Sequence, residues 1–115
     1  MDSVKRPFVL ITLIALVMSV VGSLQAATEK QAIIIATKQD LALHGHQYPA
    51  FHVSIEKIQG DYARVQLVPK NPKRADATWV FLKREKGAWR ILMGPGTHFE
   101  SKDYRKYRIP ASIWV

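Results

Sequence analysis

The four histidines are the side chains best suited to chemistry. His44-Gly45-His46 precedes Pro49, and His52 follows shortly after. Neutral imidazole ligates copper, nickel and zinc alike, so one reading is a metal carrier using His44, His46 and His52. A fourth ligand would have to come from a distance, from His98 or Glu100, and the spacing matches neither the helical nor the finger pattern of zinc sites. Solvated loop histidines explain the same residues, and no cofactor is expected. Other chemistries fail on residue type. With Cys 0, thiolate catalysis, disulfides and Cys-based zinc sites are excluded. Ser54, Ser101 and Ser112 sit in no nucleophile elbow, and His52, Glu56 and Arg64 form no Asp–His pair for acid–base work. Gly94-Pro95-Gly96-Thr97 lacks the lysine of a phosphate loop, and its proline removes a backbone donor, so it reads as a turn. The expected protein is not an enzyme.

The N-terminus reads as an address. Lys5 and Arg6 precede an apolar run from Phe8 to Val21, followed by Gly22-Ser23 and the small pair Ala26-Ala27. A basic start, a short apolar core and small residues at the cut describe a secretory signal. Residues 1–26 are therefore expected to be removed, leaving one domain over 27–115 that is periplasmic or secreted. Leu24 stands at the −3 position, which the cut tolerates. The alternative is an inner-membrane anchor through residues 8–27, although Phe8–Val21 falls short of the roughly 20 apolar residues a span needs. No cysteine follows the run, so a lipid anchor is excluded.

Charge bears on partners. The 115 residues carry 17 Lys+Arg against 9 Asp+Glu, a net charge of +8. Basic residues gather at Lys70, Lys73 and Arg74, at Lys83, Arg84, Lys86 and Arg90, and at Lys102, Arg105, Lys106 and Arg108 beside Tyr104 and Tyr107. Basic grooves with aromatic platforms bind single strands, but export removes the chain from most nucleic acid, and basic hairpin edges also discourage aggregation. Nucleic acid is thus not the expected partner. The anionic cell envelope suits the net charge without needing a pocket.

The elements follow from periodicity. Thr28 reads as an N-cap with Gln31 three residues on. Ala32, Ile35, Ala36, Gln39 and Ala42 form a helical stripe ending near Leu43, where Gly45 supplies a stop. From Phe51 the period becomes two. Phe51, Val53 and Ile55 make one strand and Ala63, Val65 and Leu67 the next, joined at Gly60-Asp61. Strict two-residue closure sets Ile55 opposite Gln66, so a bulge or longer loop is needed to match the apolar faces. Pro69 closes that strand. Ala77–Glu85 and Ala88–Met93 form a second hairpin turning at Lys86-Gly87. Val80, Leu82 and Arg84 share a face with Trp89, Ile91 and Met93. The other face carries Trp79, Phe81 and Leu92, with Lys83 opposed to Arg90. Ser101 or Asp103 caps a short turn through Arg108, and Ile113 and Trp114 tuck back onto the domain. The expected fold is α+β: one N-terminal helix packed on a four-stranded antiparallel sheet of two hairpins, with a short C-terminal helical turn.

This order resembles the cystatin-like and NTF2-like architecture. More narrowly, Gly60-Asp61-Tyr62-Ala63-Arg64-Val65, Val80-Phe81-Leu82-Lys83 and Gly87-Ala88-Trp89-Arg90-Ile91 resemble small exported bacterial proteins of uncharacterised function. So do Gly96-Thr97 and Ile109-Pro110-Ala111-Ser112, and the resemblance spans Phe51 to Trp114. It implies a fold rather than an activity. The Gln-x-Val-x-Gly wedge of cystatin inhibitors is missing from the first hairpin, where Gln59-Gly60-Asp61-Tyr62 stands. Gln66-Leu67-Val68-Pro69-Lys70 matches it except for the final Gly, at the far end of a strand.

Together these readings describe a non-catalytic binding module of the cell envelope. Its expected partner face is Trp79, Phe81 and Leu92 flanked by Lys83 and Arg90, offered to an envelope protein, a second copy or an anionic surface. The competing expectation is that the terminal segment, Trp114 above all, covers that face. The alternatives in function are a small NTF2-like enzyme and a periplasmic metal-binding protein.

Overall fold

The computed structural model describes residues 28–44, 50–73 and 75–115. The expected signal or anchor, His46 and Arg74 lie outside the described residues. Residues 32–115 form one compact unit. Among the described residues no helix is long and apolar enough to cross a membrane.

Helix α1 runs over residues 28–43. Thr28 is helical rather than the cap that its type suggested. The buried line is Ile33, Thr37 and Leu41, flanked by Ala32 and Ala36, so the inward face differs from the expected stripe. Ile35, at 44% exposure, looks outward, and Gln39 and Ala42 are exposed. The run Ile33-Ile34-Ile35 sweeps too wide an arc for all three to face a sheet, and residues four apart make the line that does. Thr37 fits that line because its hydroxyl donates to the Ile33 carbonyl at 2.7 Å, satisfying a polar group without a partner from the sheet.

Four strands follow: β1 (Phe51–Gln59), β2 (Tyr62–Pro69), β3 (Thr78–Glu85) and β4 (Ala88–Gly96). They form one antiparallel sheet in the order β1-β2-β3-β4. Gly60 supplies the positive φ in the first turn, and Lys86 and Gly87 supply two in the second, as a tight two-residue hairpin requires. The expected bulge is present. Ile55 pairs with Val65 and Lys57 with Arg64, leaving Glu56 as the extra residue. The apolar faces of β1 and β2 now coincide.

Strand β4 departs from simple alternation. Leu82 pairs with Ile91 but Phe81 with Met93, so Leu92 is inserted, and a second shift precedes the Trp79–Gly96 pair. Met93 therefore leaves the Val80 and Leu82 face expected for it and joins Phe81. Gly94 adopts φ +98, and a Cβ there would strike the Trp79 carbonyl oxygen.

The sheet has an apolar core on each side. Helix α1 covers Ala63, Val65, Leu67, Val80, Leu82 and Trp89. On the other side, Phe81 and Met93 lie beneath Tyr104, Ile109 and Ile113 from the C-terminal segment. That segment contains helix α2 (Ser101–Lys106) and a 3-10 turn η1 (Ala111–Ile113). The α2 cap is Glu100, not Ser101 or Asp103, and its N–H donates to the Asp103 carboxylate at 3.1 Å. At the other end Ile109 N–H reaches the Tyr104 carbonyl (3.0 Å) and Arg108 N–H the Arg105 carbonyl (3.1 Å). This is a Schellman motif whose left-handed position holds Arg108, φ 56, where glycine is usual.

Two substitutions test this backbone reading by denaturant unfolding. Arg108→Gly removes the left-handed penalty and should add about 1 kcal/mol of stability. Gly94→Ala should subtract more than that amount, because its φ and the Trp79 carbonyl both oppose a Cβ. Equal effects of the same sign would contradict it.

Candidate binding site

The expected partner residues divide into two groups. Phe81 is 0% exposed and meets Phe99 and Tyr104 edge-on, with ring centroids 5.4 and 5.3 Å away. Trp79 and Leu92 are half-buried members of the same cluster. The expectation of an apolar face offered to a partner is thus corrected for Phe81, and the competing expectation of a terminal cover describes what is seen. Trp114 stacks on Tyr104 at 4.6 Å, with its indole N–H donating to the Ile109 carbonyl at 2.8 Å. Apolar area on both sheet faces demands two covers, and this chain supplies the second itself.

The cover is tied down by polar side chains at the β1 bulge. Lys57, directly after the extra residue, donates through Nζ to the Ser112 carbonyl at 3.1 Å. Glu56 Oε1 accepts from Arg64 Nε at 3.0 Å and from Trp79 Nε1 at 2.7 Å. Arg64 Nη1 donates onward to the carbonyls of Ile113 and Trp114 at 2.9 and 3.2 Å. Ser112 Oγ also donates to Gln59 Oε1. The Trp79 indole is therefore committed to an internal carboxylate rather than presented to a partner.

Lys83 and Arg90 stand apart from this closed region. Register across the sheet aligns Gln59, Tyr62, Lys83 and Arg90 in one row. Alternation with buried Leu82 and Trp89 turns Lys83 and Arg90 toward the C-terminal side of the sheet. Lys83 Nζ lies 5.5 Å from the Tyr62 ring centroid and 3.4 Å from Glu85. Tyr62, once ionised, and Glu85 both favour the ammonium and raise its pKa from the ordinary lysine value. Arg90 is exposed and makes no ion pair among the described residues. Like charges directly opposed on a sheet repel. The neighbouring cation Arg84 is instead neutralised, through Nη2 on Asp61 at 2.9 Å, and lies over Trp89. Two adjacent cations with a phenol beside one of them can hold a carboxylate or a phosphate through charge-assisted hydrogen bonds.

Among the described residues the histidines do not gather. His44 is exposed at the end of α1, with Nδ1 2.8 Å from the Asp40 carbonyl, and His52 is exposed on β1. Among the described residues no three His, Cys, Asp or Glu side chains converge as a metal site would need. The Asp40 carboxylate serves the sheet instead, its Oδ2 accepting the Ile91 N–H of edge strand β4 at 2.9 Å.

Tyr62 was missed as a companion of Lys83, and Glu56 and Arg64 as the tie for the cover. The register between the two hairpins sets Tyr62 beside Lys83 and brings Trp79 to Glu56, while the β1 bulge brings Glu56 to Arg64. Comparison with protein-family models, curated proteins and solved structures returns no match for this chain.

Trp79→Phe keeps an aromatic ring, though a smaller one, and loses the bond to Glu56. It should lower unfolding free energy by about 1.5–3 kcal/mol, the scale of a hydrogen bond to a charged group, and leave the oligomeric state unchanged by light scattering. A change in association with stability intact would restore Trp79 as an interface residue.

Proposed function

We propose that the chain is an exported, non-catalytic binding module of the bacterial cell envelope, built on a cystatin-like or NTF2-like plan. It captures a carboxylate-bearing envelope protein through Lys83 and Arg90. The opposed, like-charged pair carries this reading, with Arg90 exposed and held by no acid among the described residues. Among the described residues Lys83 shares only the exposed Glu85, so a bound anion would meet two adjacent cations on one row. Tyr62 adds a hydroxyl donor beside Lys83. The basic start, apolar run and Ala26-Ala27 support export. Covering of Phe81 removes the apolar surface a second copy would have used, which favours a charged partner over self-association. No observation favours the NTF2-like enzyme or the metal-binding protein over this reading.

Net charge alone also attracts anions, so the test must separate site from field. A fluorescent oligoglutamate peptide serves as the probe at low salt. Lys83→Glu/Arg90→Glu should weaken its binding at least tenfold. Lys70→Glu/Lys73→Glu, with the same change in net charge on an exposed loop, should weaken it far less. Equal losses in the two variants would contradict a specific site at Lys83 and Arg90.

A further inference from the structure

At the strand ends away from Lys83, on the helix-covered side of the sheet, lies a feature of opposite charge. Phe51 opens β1, Leu67 and Pro69 end β2, and Thr78 opens β3. With Ala75, Asp76 and Thr97 they line a cavity of about 270 Å³. Its wall is largely hydrocarbon, from Phe51, Leu67, Pro69 and Ala75. Leu67 is a buried member of the helix-side core, so this part of the wall is fixed by packing.

Three lining side chains bear oxygen: Asp76, Thr78 and Thr97. Asp76 is exposed, and no salt bridge or hydrogen bond holds its carboxylate among the described residues. This matters in a chain of net charge +8, where Glu56, Asp61, Glu85 and Glu100 each pair with a cation. The cavity thus joins an apolar wall, two hydroxyls and a carboxylate that no cation pairs with among the described residues. An anion would meet repulsion, and a neutral hydrocarbon would leave the carboxylate unused.

An ammonium has three N–H donors and no acceptor, which suits a lining that carries three oxygen-bearing side chains. We propose that this cavity binds a small amphiphilic amine. Its ammonium sits on Asp76 with Thr78 and Thr97 accepting further hydrogen bonds, and its tail packs against Phe51, Leu67 and Pro69. The site is separate from Lys83 and Arg90 in face, strand end and charge, so it stands or falls independently of the anion-binding reading.

Hexylamine, hexanol and hexanoate share a tail and differ in the head group. Titration of each into the full chain, followed by amide NMR shifts of Ala75, Thr78 and Thr97, separates the contributions. Hexylamine should saturate these shifts and bind at least fivefold more tightly than hexanoate, the scale of an exposed charge pair. Asp76→Asn should erase that preference while retaining the hexanol response. Ala75→Trp, on the half-buried loop, should fill the cavity and abolish the shifts for all three compounds with the remaining amide spectrum preserved. Equal binding of hexylamine and hexanoate, an unchanged preference in Asp76→Asn, or no saturable shift with hexylamine would overturn the proposal.

Discussion

The fold depends on closing a sheet that is apolar on both sides. Helix α1 closes one side from Ile33, Thr37 and Leu41. The other side is closed by a short helix and a 3-10 turn, too brief to be stable alone. What holds them is the Tyr104, Ile109 and Ile113 cluster over Phe81, fastened at its far margin by Arg64. One guanidinium faces both ways, to the Glu56 carboxylate and to two main-chain carbonyls. Its planar array of donors suits this bridging, which a lysine would not reproduce.

The bulge in β1 makes that fastening available. An uninterrupted strand would send Glu56 and Lys57 to opposite faces. With Glu56 as the extra residue, Lys57 remains paired opposite Arg64 while Glu56 also reaches Arg64 and Trp79. A single irregularity therefore aligns the apolar faces of the first hairpin and assembles the polar tie for the cover. The irregularities in β4 act in a related way by turning Met93 toward Phe81. Once the apolar surface is internal, the functional possibilities move to charge, at Lys83 and Arg90 on one face and Asp76 on the other.

Much of this was legible in the residues. Alternation from Phe51, the turns at Gly60-Asp61 and Lys86-Gly87, and the mismatch that demanded a bulge were all local signals. The opposed Lys83 and Arg90 followed from a two-residue turn. The inward face of α1 escaped the periodicity because Ile33-Ile34-Ile35 offers three plausible phases, and only the sheet selects one. Met93 changed face because the inserted Leu92 has no signature of its own; Gly94-Pro95 marks the break only afterwards. The Glu56, Arg64 and Trp79 contact joins three strands, and residue spacing along the chain carries no information about that register.

Amide hydrogen exchange in Arg64→Met tests the central claim most directly, since methionine keeps much of the stem and removes every donor. The tie predicts faster exchange at Ile113 and Trp114, whose N–H groups bond Pro110 and Ala111 across the terminal turn, with Val65 and Leu82 retaining their protection. Unchanged exchange at Ile113 and Trp114, or an equal acceleration throughout the sheet, would contradict the account.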